Sequence, residues 1–89
     1  MTYTVSQINT NREYIDNECI RIQKICNSSA LVAAVIFHWD PLCNKLETRV
    51  GYFEDILEAQ FWKEEKEDVY KKMNIDYTSY MIFPILEAK

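Results

Sequence analysis

Ala30-Leu31-Val32-Ala33-Ala34-Val35-Ile36-Phe37-His38-Trp39 is the longest apolar run in the chain, and its reading decides the fold. Read as helix, it prolongs the segment before it and makes the protein mostly α, because alanine-rich apolar runs are ambiguous by periodicity alone. Read as strand, its Val32, Val35, Ile36 and Phe37 suit the centre of a sheet covered on both faces. The strand reading is preferred. Asp40-Pro41 then breaks the run, since proline lacks an amide hydrogen and restrains the residue before it, and Asn44 is turn-prone as well.

Beyond the turn, Leu46 to Tyr52 alternates, with Leu46, Thr48, Val50 and Tyr52 on one side and Glu47 and Arg49 on the other. The two segments are therefore expected to form a hairpin. After Gly51, Phe53 to Met73 carries Glu54 and Asp55 near its start and Lys71 and Lys72 near its end, a distribution that complements a helix dipole. Phe53, Ile56, Leu57 and Phe61, then Val69, Tyr70 and Met73, form two apolar patches around the charged run Lys63 to Asp68. This predicts a helix that bends or breaks near its middle. Ile75 to Phe83 alternates again as a strand that Pro84 ends.

Working back from Ala30, Thr10-Asn11-Arg12-Glu13 reads as a capping box that opens a helix. Ile15, Cys19, Ile22 and Cys26 follow at spacings of four, three and four along one face, and Asn27, Ser28 and Ser29 close it. Tyr3 to Ile8 alternates with period two, which predicts a short first strand. The order β-α-β-β-α-β corresponds to the ferredoxin-like arrangement, an α+β fold with a four-stranded antiparallel sheet and two helices on one face. The chain, residues 1–89, is expected to be a single domain.

With 48% hydrophobic residues, one glycine and two prolines, the sequence carries enough apolar surface to fold. Its net charge of −4 argues against direct nucleic-acid binding, which depends on clustered Lys and Arg, and favours a partner with a basic surface. The charge is uneven, with five basic and five acidic residues up to position 50 and five basic and nine acidic after it. Three cysteines and an N-terminus without a signal-peptide pattern predict a cytoplasmic protein, in the host cytoplasm if viral. The longest apolar run is half of the roughly 20 residues that cross a bilayer, so no membrane association is expected.

Several side-chain groups suggest chemistry and are outweighed by plainer readings. Cys19, Cys26, His38 and Cys43 are zinc-ligand types, but Cys19 and Cys26 lie about 10.5 Å apart along the predicted helix and are better read as core residues. His38, Asp40 and Cys43 sit around the turn, where a Cys-His pair lacks any glycine-rich oxyanion site. Asp40, Glu47 and Arg49 faintly resemble the acidic pair plus basic residue of a metal-dependent nuclease, but the basic position is Arg rather than Lys and the basic surface to hold DNA is absent. No catalytic residue, metal or cofactor is assigned.

Seven carboxylates between Glu54 and Asp68 are the densest chemical feature. Part of that run is an ordinary solvated helix face, with Glu67 and Lys71, and Asp68 and Lys72, as i, i+4 pairs. The competing reading of the run is a docking surface for a basic partner, expected to use Glu64, Glu65, Glu67 and Asp68 as its charges and Trp62 as aromatic anchor. A second surface is expected on the sheet face away from the helices, where Ile36, His38, Tyr80 and Ile82 would serve a homodimer or a partner. The expected function is a non-enzymatic interaction module, one concrete version being a phage-borne or mobile-element inhibitor of a host nucleic-acid enzyme, in the manner of an anti-CRISPR protein. The rival is a ferredoxin-like homodimer that encloses a small apolar ligand, with His38 as acid-base group.

Overall fold

The structure is a computed structural model that describes residues 7–85. Its elements are α1 (Gln7–Thr10), α2 (Arg12–Ser29), β1 (Val32–Asp40), β2 (Lys45–Phe53), α3 (Ile56–Lys72) and β3 (Tyr77–Ile82). The strands form one antiparallel sheet in the order β2-β1-β3.

β1 is the apolar run of the sequence, displaced by two residues at its start, and it occupies the centre as expected. Seven of its nine residues are buried. Because side chains alternate along a strand, Ala33, Val35 and Phe37 face one way and Val32, Ala34, Ile36 and His38 the other. The first set packs with Ile15, Ile22 and Cys26 of α2, Ile8 of α1 and Ile82. The second set meets α3, where Ala59 packs with Val32 and Ala34, and Phe53, Trp62 and Met81 border the contact. The molecule is thus helix, sheet and helix in three layers.

This overturns the ferredoxin-like expectation, which needs four strands and both helices on one face. The described residues hold three strands and three helices. Of the expected first strand, residues 3–6 lie outside the described residues, and Gln7 and Ile8 are helical, with the Ile8 side chain in the core. The period-two signal was short, and a turn of helix buries Ile8 equally well. The mostly-α alternative is also excluded, because β1 is a strand along its whole length.

Local chemistry explains the other boundaries. The expected capping box does not form: Thr10 ends α1, and Asn11 caps α2 without a side-chain hydrogen bond. α2 then runs through Asn27, Ser28 and Ser29, whose last hydroxyl donates to the Ile25 carbonyl at 2.7 Å, and stops at Ala30 in the left-handed region (φ 57°). Asp55 caps α3, its carboxylate accepting from the Leu57 amide at 2.8 Å. α3 is continuous across the charged run that was expected to break it. Gly51 lies inside β2, where an added methyl carbon would stand 2.7 Å from the Phe53 ring, so its bareness lets that ring lie along the strand toward Trp62.

Two stability predictions follow from these contacts. Ala30→Gly relieves the left-handed strain at the end of α2 and is expected to gain up to about 1 kcal/mol, a rise of roughly 4–8 °C in melting temperature. Ala59→Leu forces α3 away from Ala34 and is expected to lose about 1–3 kcal/mol, read as a lower urea midpoint.

Candidate functional site

α3 sets the geometry of both candidate surfaces because its polarity is inverted relative to its packing. The residues it turns toward the sheet are Ala59, Lys63, Glu67 and Tyr70, at helical spacings of four, four and three. Lys63 and Glu67 are joined at 3.2 Å with side chains only 19% and 16% exposed, and the Ser79 hydroxyl of β3 donates to the same Glu67 oxygen. A lysine-carboxylate pair therefore occupies a position that an amphipathic helix normally gives to leucine or valine. The large apolar residues face outward instead: Leu57 is 72% exposed and Phe61 69%.

Phe53, Leu57, Phe61 and Trp62 line an open apolar groove along the first turns of α3, with Glu58 and Glu65 at its edges. Trp62 is half-buried, its ring tilted against Phe53 at 5.9 Å, and Lys66 reaches over the ring, 5.9 Å from its centre. Past Phe61 the same outer face continues through Glu64, Glu65 and Asp68, all exposed. Glu64 accepts from Gln60 at 3.3 Å and Asp68 pairs with Lys72 at 2.9 Å. Of the acidic residues singled out in the sequence, Glu64, Glu65 and Asp68 share this exposed surface, Glu65 lining the groove with Trp62, whereas Glu67 points into the helix-sheet contact.

The sheet face expected to be open is covered. Ile36 is fully buried and His38 7% exposed beneath α3. Tyr80 and Ile82 are not beside them: the register pairs Val35 with Tyr80 and Ala33 with Ile82, which puts both on the α2 face, while Tyr77 and Ser79 accompany His38 and Ile36. Alternation along β3 was legible, but its phase relative to β1 was not. Tyr80 accepts a hydrogen bond from Arg12 at 3.0 Å, and Ile82 belongs to the core.

His38 is the remaining site residue. Its ring stacks on Tyr70 of α3 at 4.6 Å and 20°, and neither ring nitrogen has a hydrogen-bond partner among the described residues. Nε2 lies 3.6 Å from an oxygen of Glu47, its cross-strand neighbour on β2, beyond hydrogen-bond length. Burial holds the imidazole below its usual value of 6.5, against the upward pull of Glu47 and Asp40, while Arg49 depresses it further. Around the adjoining turn, Asp40 accepts from the amides of Leu42 (2.9 Å) and Cys43 (3.2 Å). Its carboxylate also holds the exposed Cys43 thiol above the usual range by hydrogen bonding. The sulfur of Cys43 and carboxylate oxygens of Asp40 and Glu47 all lie within 4.8 Å of one another. Cys19 and Cys26 are on α2, across the sheet from this group. Sequence reasoning weighed His38, Asp40, Cys43 and Glu47 in different trios and did not join them, although hairpin register alone places Glu47 opposite His38.

Replacing the imidazole by an apolar ring tests this description of His38. His38→Phe keeps the stack on Tyr70 and removes two buried nitrogens that have no partner among the described residues, so the protein is expected to gain about 1 kcal/mol at neutral pH. As pH falls below 6.5 the unfolded chain takes up the His38 proton before the fold does, so the parent loses stability by at most about 1.4 kcal/mol per pH unit until the folded imidazole also charges. His38→Phe should flatten that slope relative to the parent, as measured by urea midpoints at a series of pH values.

Among the described residues, no helix is long and apolar enough to cross a membrane. The chain matches no protein-family model and has no significant match among curated proteins or solved structures.

Proposed function

We propose that the protein is a non-enzymatic interaction module that docks a basic, amphipathic segment of another protein onto the outer face of α3. The inverted polarity of that helix carries the reading. A helix that spends a lysine-glutamate pair on its buried side while leaving Leu57 and Phe61 more than two-thirds exposed has its apolar surface where a partner can reach it.

The surface also specifies the chemistry of its occupant. Leu57, Phe61 and Trp62 offer an apolar seat for aliphatic or aromatic side chains, with Trp62 the residue type most often dominant in binding energy. Glu58, Glu64, Glu65 and Asp68 border and extend that seat, so Lys or Arg placed beside and beyond the partner's apolar anchors meets complementary charge. A second copy of the chain fits less well, because its own acidic rim would be apposed to this one. The basic surface of a nucleic-acid enzyme has the required character, which keeps inhibition of such an enzyme as the concrete version of this function.

Capture from native or host lysate on the tagged protein, run in parallel with a Leu57→Ser/Phe61→Ser variant and a Glu58→Lys/Glu65→Lys variant, tests the proposal. Both pairs are exposed, so both variants should keep the parent's circular dichroism and melting temperature. A captured protein with a basic surface, lost from both variants and eluted by high salt, is the expected result. Capture indifferent to both pairs would overturn it. So would a parent that sediments as a dimer and a Leu57→Ser/Phe61→Ser variant that sediments as a monomer, which would assign the groove to self-association.

A further inference from the structure

The β1–β2 turn is a second chemical feature, carried by different residues from the docking face. His38 and Asp40 are two apart on β1 and so project from the same face of the sheet. Antiparallel register places Glu47 opposite His38 and Lys45 opposite Asp40. The turn at 41–44, with Asn44 in the left-handed region (φ 55°), brings Cys43 back over Asp40. Three donor atoms within 4.8 Å of one another result, on side chains of which Cys43 is exposed and free to adjust.

Acidic side chains beside a cysteine do not by themselves make a site. His38 supplies the independent observation. Its side chain is 9% exposed, both ring nitrogens are without a hydrogen-bond partner among the described residues, and Nε2 lies 3.6 Å from the Glu47 carboxylate. That separation is too long for a hydrogen bond, yet two ligands on one tetrahedral ion stand about 3.3–3.8 Å apart when their bonds are about 2.0–2.3 Å. An unpartnered buried imidazole costs the fold stability, and such groups persist where a site requires them.

We propose that Asp40, Cys43 and Glu47, whose donor atoms lie within 4.8 Å of one another, form a divalent-metal site of the zinc class, with His38 Nε2, 3.6 Å from Glu47 but outside that trio, as a fourth ligand reached by adjustment of the Asp40 and Cys43 side chains at the turn. The donor set of one sulfur, one imidazole nitrogen and two carboxylates excludes a preference for magnesium or calcium, which take oxygen ligands, and suits zinc. With Cys43 ionised the ligands carry three negative charges against the two of the ion. Lys45 and Arg49 flank them and limit the affinity without occupying the ligand positions. Binding displaces the thiol proton that Cys43 now shares with Asp40, so each ion taken up releases a proton to solvent. The stack of His38 on Tyr70 fixes the ring plane, so the ion would fasten the hairpin turn to a side chain anchored under α3.

Calorimetric titration of the reduced, full-length protein with zinc chloride tests this, with cobalt(II) as a spectroscopic probe of thiolate ligation. One ion per chain is expected, with a thiolate-to-cobalt charge-transfer band and a melting temperature raised by zinc. Cys43→Ser and Glu47→Gln should each weaken binding by more than about tenfold, the loss that even an outer partner's removal causes, and should abolish the cobalt band and the zinc-dependent stabilisation, respectively. Cys19→Ser should change nothing. Because Cys43 is exposed and Glu47 partly so, both variants should fold, which circular dichroism checks. Absence of saturable binding up to millimolar zinc would overturn the site, as would binding that survives Cys43→Ser and Glu47→Gln or that is lost in Cys19→Ser.

Discussion

Burial of β1 on both faces is the constraint on which the rest of the structure depends. Phe37 and Ile36 are adjacent in sequence, point to opposite sides of the sheet, and are both fully buried. A strand with that pattern cannot lie over a one-sided helical layer, because half of its apolar surface would be left in water at a cost of about 25 cal/mol for each Å². One helix must therefore cover each side. α2 brings Ile15, Ile22 and Cys26 to the Phe37 side, and α3 brings Ala59 and Tyr70 to the Ile36 side. The sheet order follows from the same demand, since β1 is shielded at its edges only when β2 and β3 lie on either side of it.

The two helices meet this demand by different means. α2 is an ordinary amphipathic helix, with a stripe of Ile and Cys facing the sheet. α3 covers its side with a small residue where β1 approaches closely, at Ala59 against Ala34, and with a ring at its far end, where Tyr70 lies on His38. Between them, Lys63, Glu67 and Ser79 satisfy one another, so this partly buried cluster is paired rather than stranded. A helix whose cover depends on one alanine, one tyrosine and a polar cluster leaves its larger apolar residues free for the outer face.

That division explains what the sequence made legible. The central strand, the hairpin, both long helices and the last strand could be read from β-branched content, the Asp40-Pro41 break and the three- and four-residue spacings of α2. The sidedness of α3 could not, because Leu57, Phe61, Val69 and Met73 look like a core stripe and only the tertiary structure shows that Ala59 and Tyr70 hold the sheet. The phase of β3 was equally hidden: moving the pairing by one residue exchanges Tyr80 and Ile82 for Ser79 and Met81 on a given face. The first error puts Ile36 and His38 on an open sheet face although α3 covers them; the second sets Tyr80 and Ile82 beside them although both lie on the α2 side.

The docking groove and the hairpin group lie toward opposite ends of the same layer. Ala34 packs near Ala59 and Trp62 at one end of α3, and His38 stacks on Tyr70 near the other. Four residues of strand and eleven of helix separate these contacts, about 13 Å along β1 and about 16 Å along α3. Substitutions that far apart with no shared partner normally add to within about 0.3–0.5 kcal/mol, so a change in either surface is read mainly at that surface and coupling through α3 is a small correction. The rigid link between them is α3 itself, held at both ends on β1, so ordering of the hairpin through His38 and Tyr70 would steady the helix whose outer face carries Leu57 and Phe61. An ion at the turn and a partner in the groove would then act on one element, with the stack of His38 on Tyr70 as the physical connection between them.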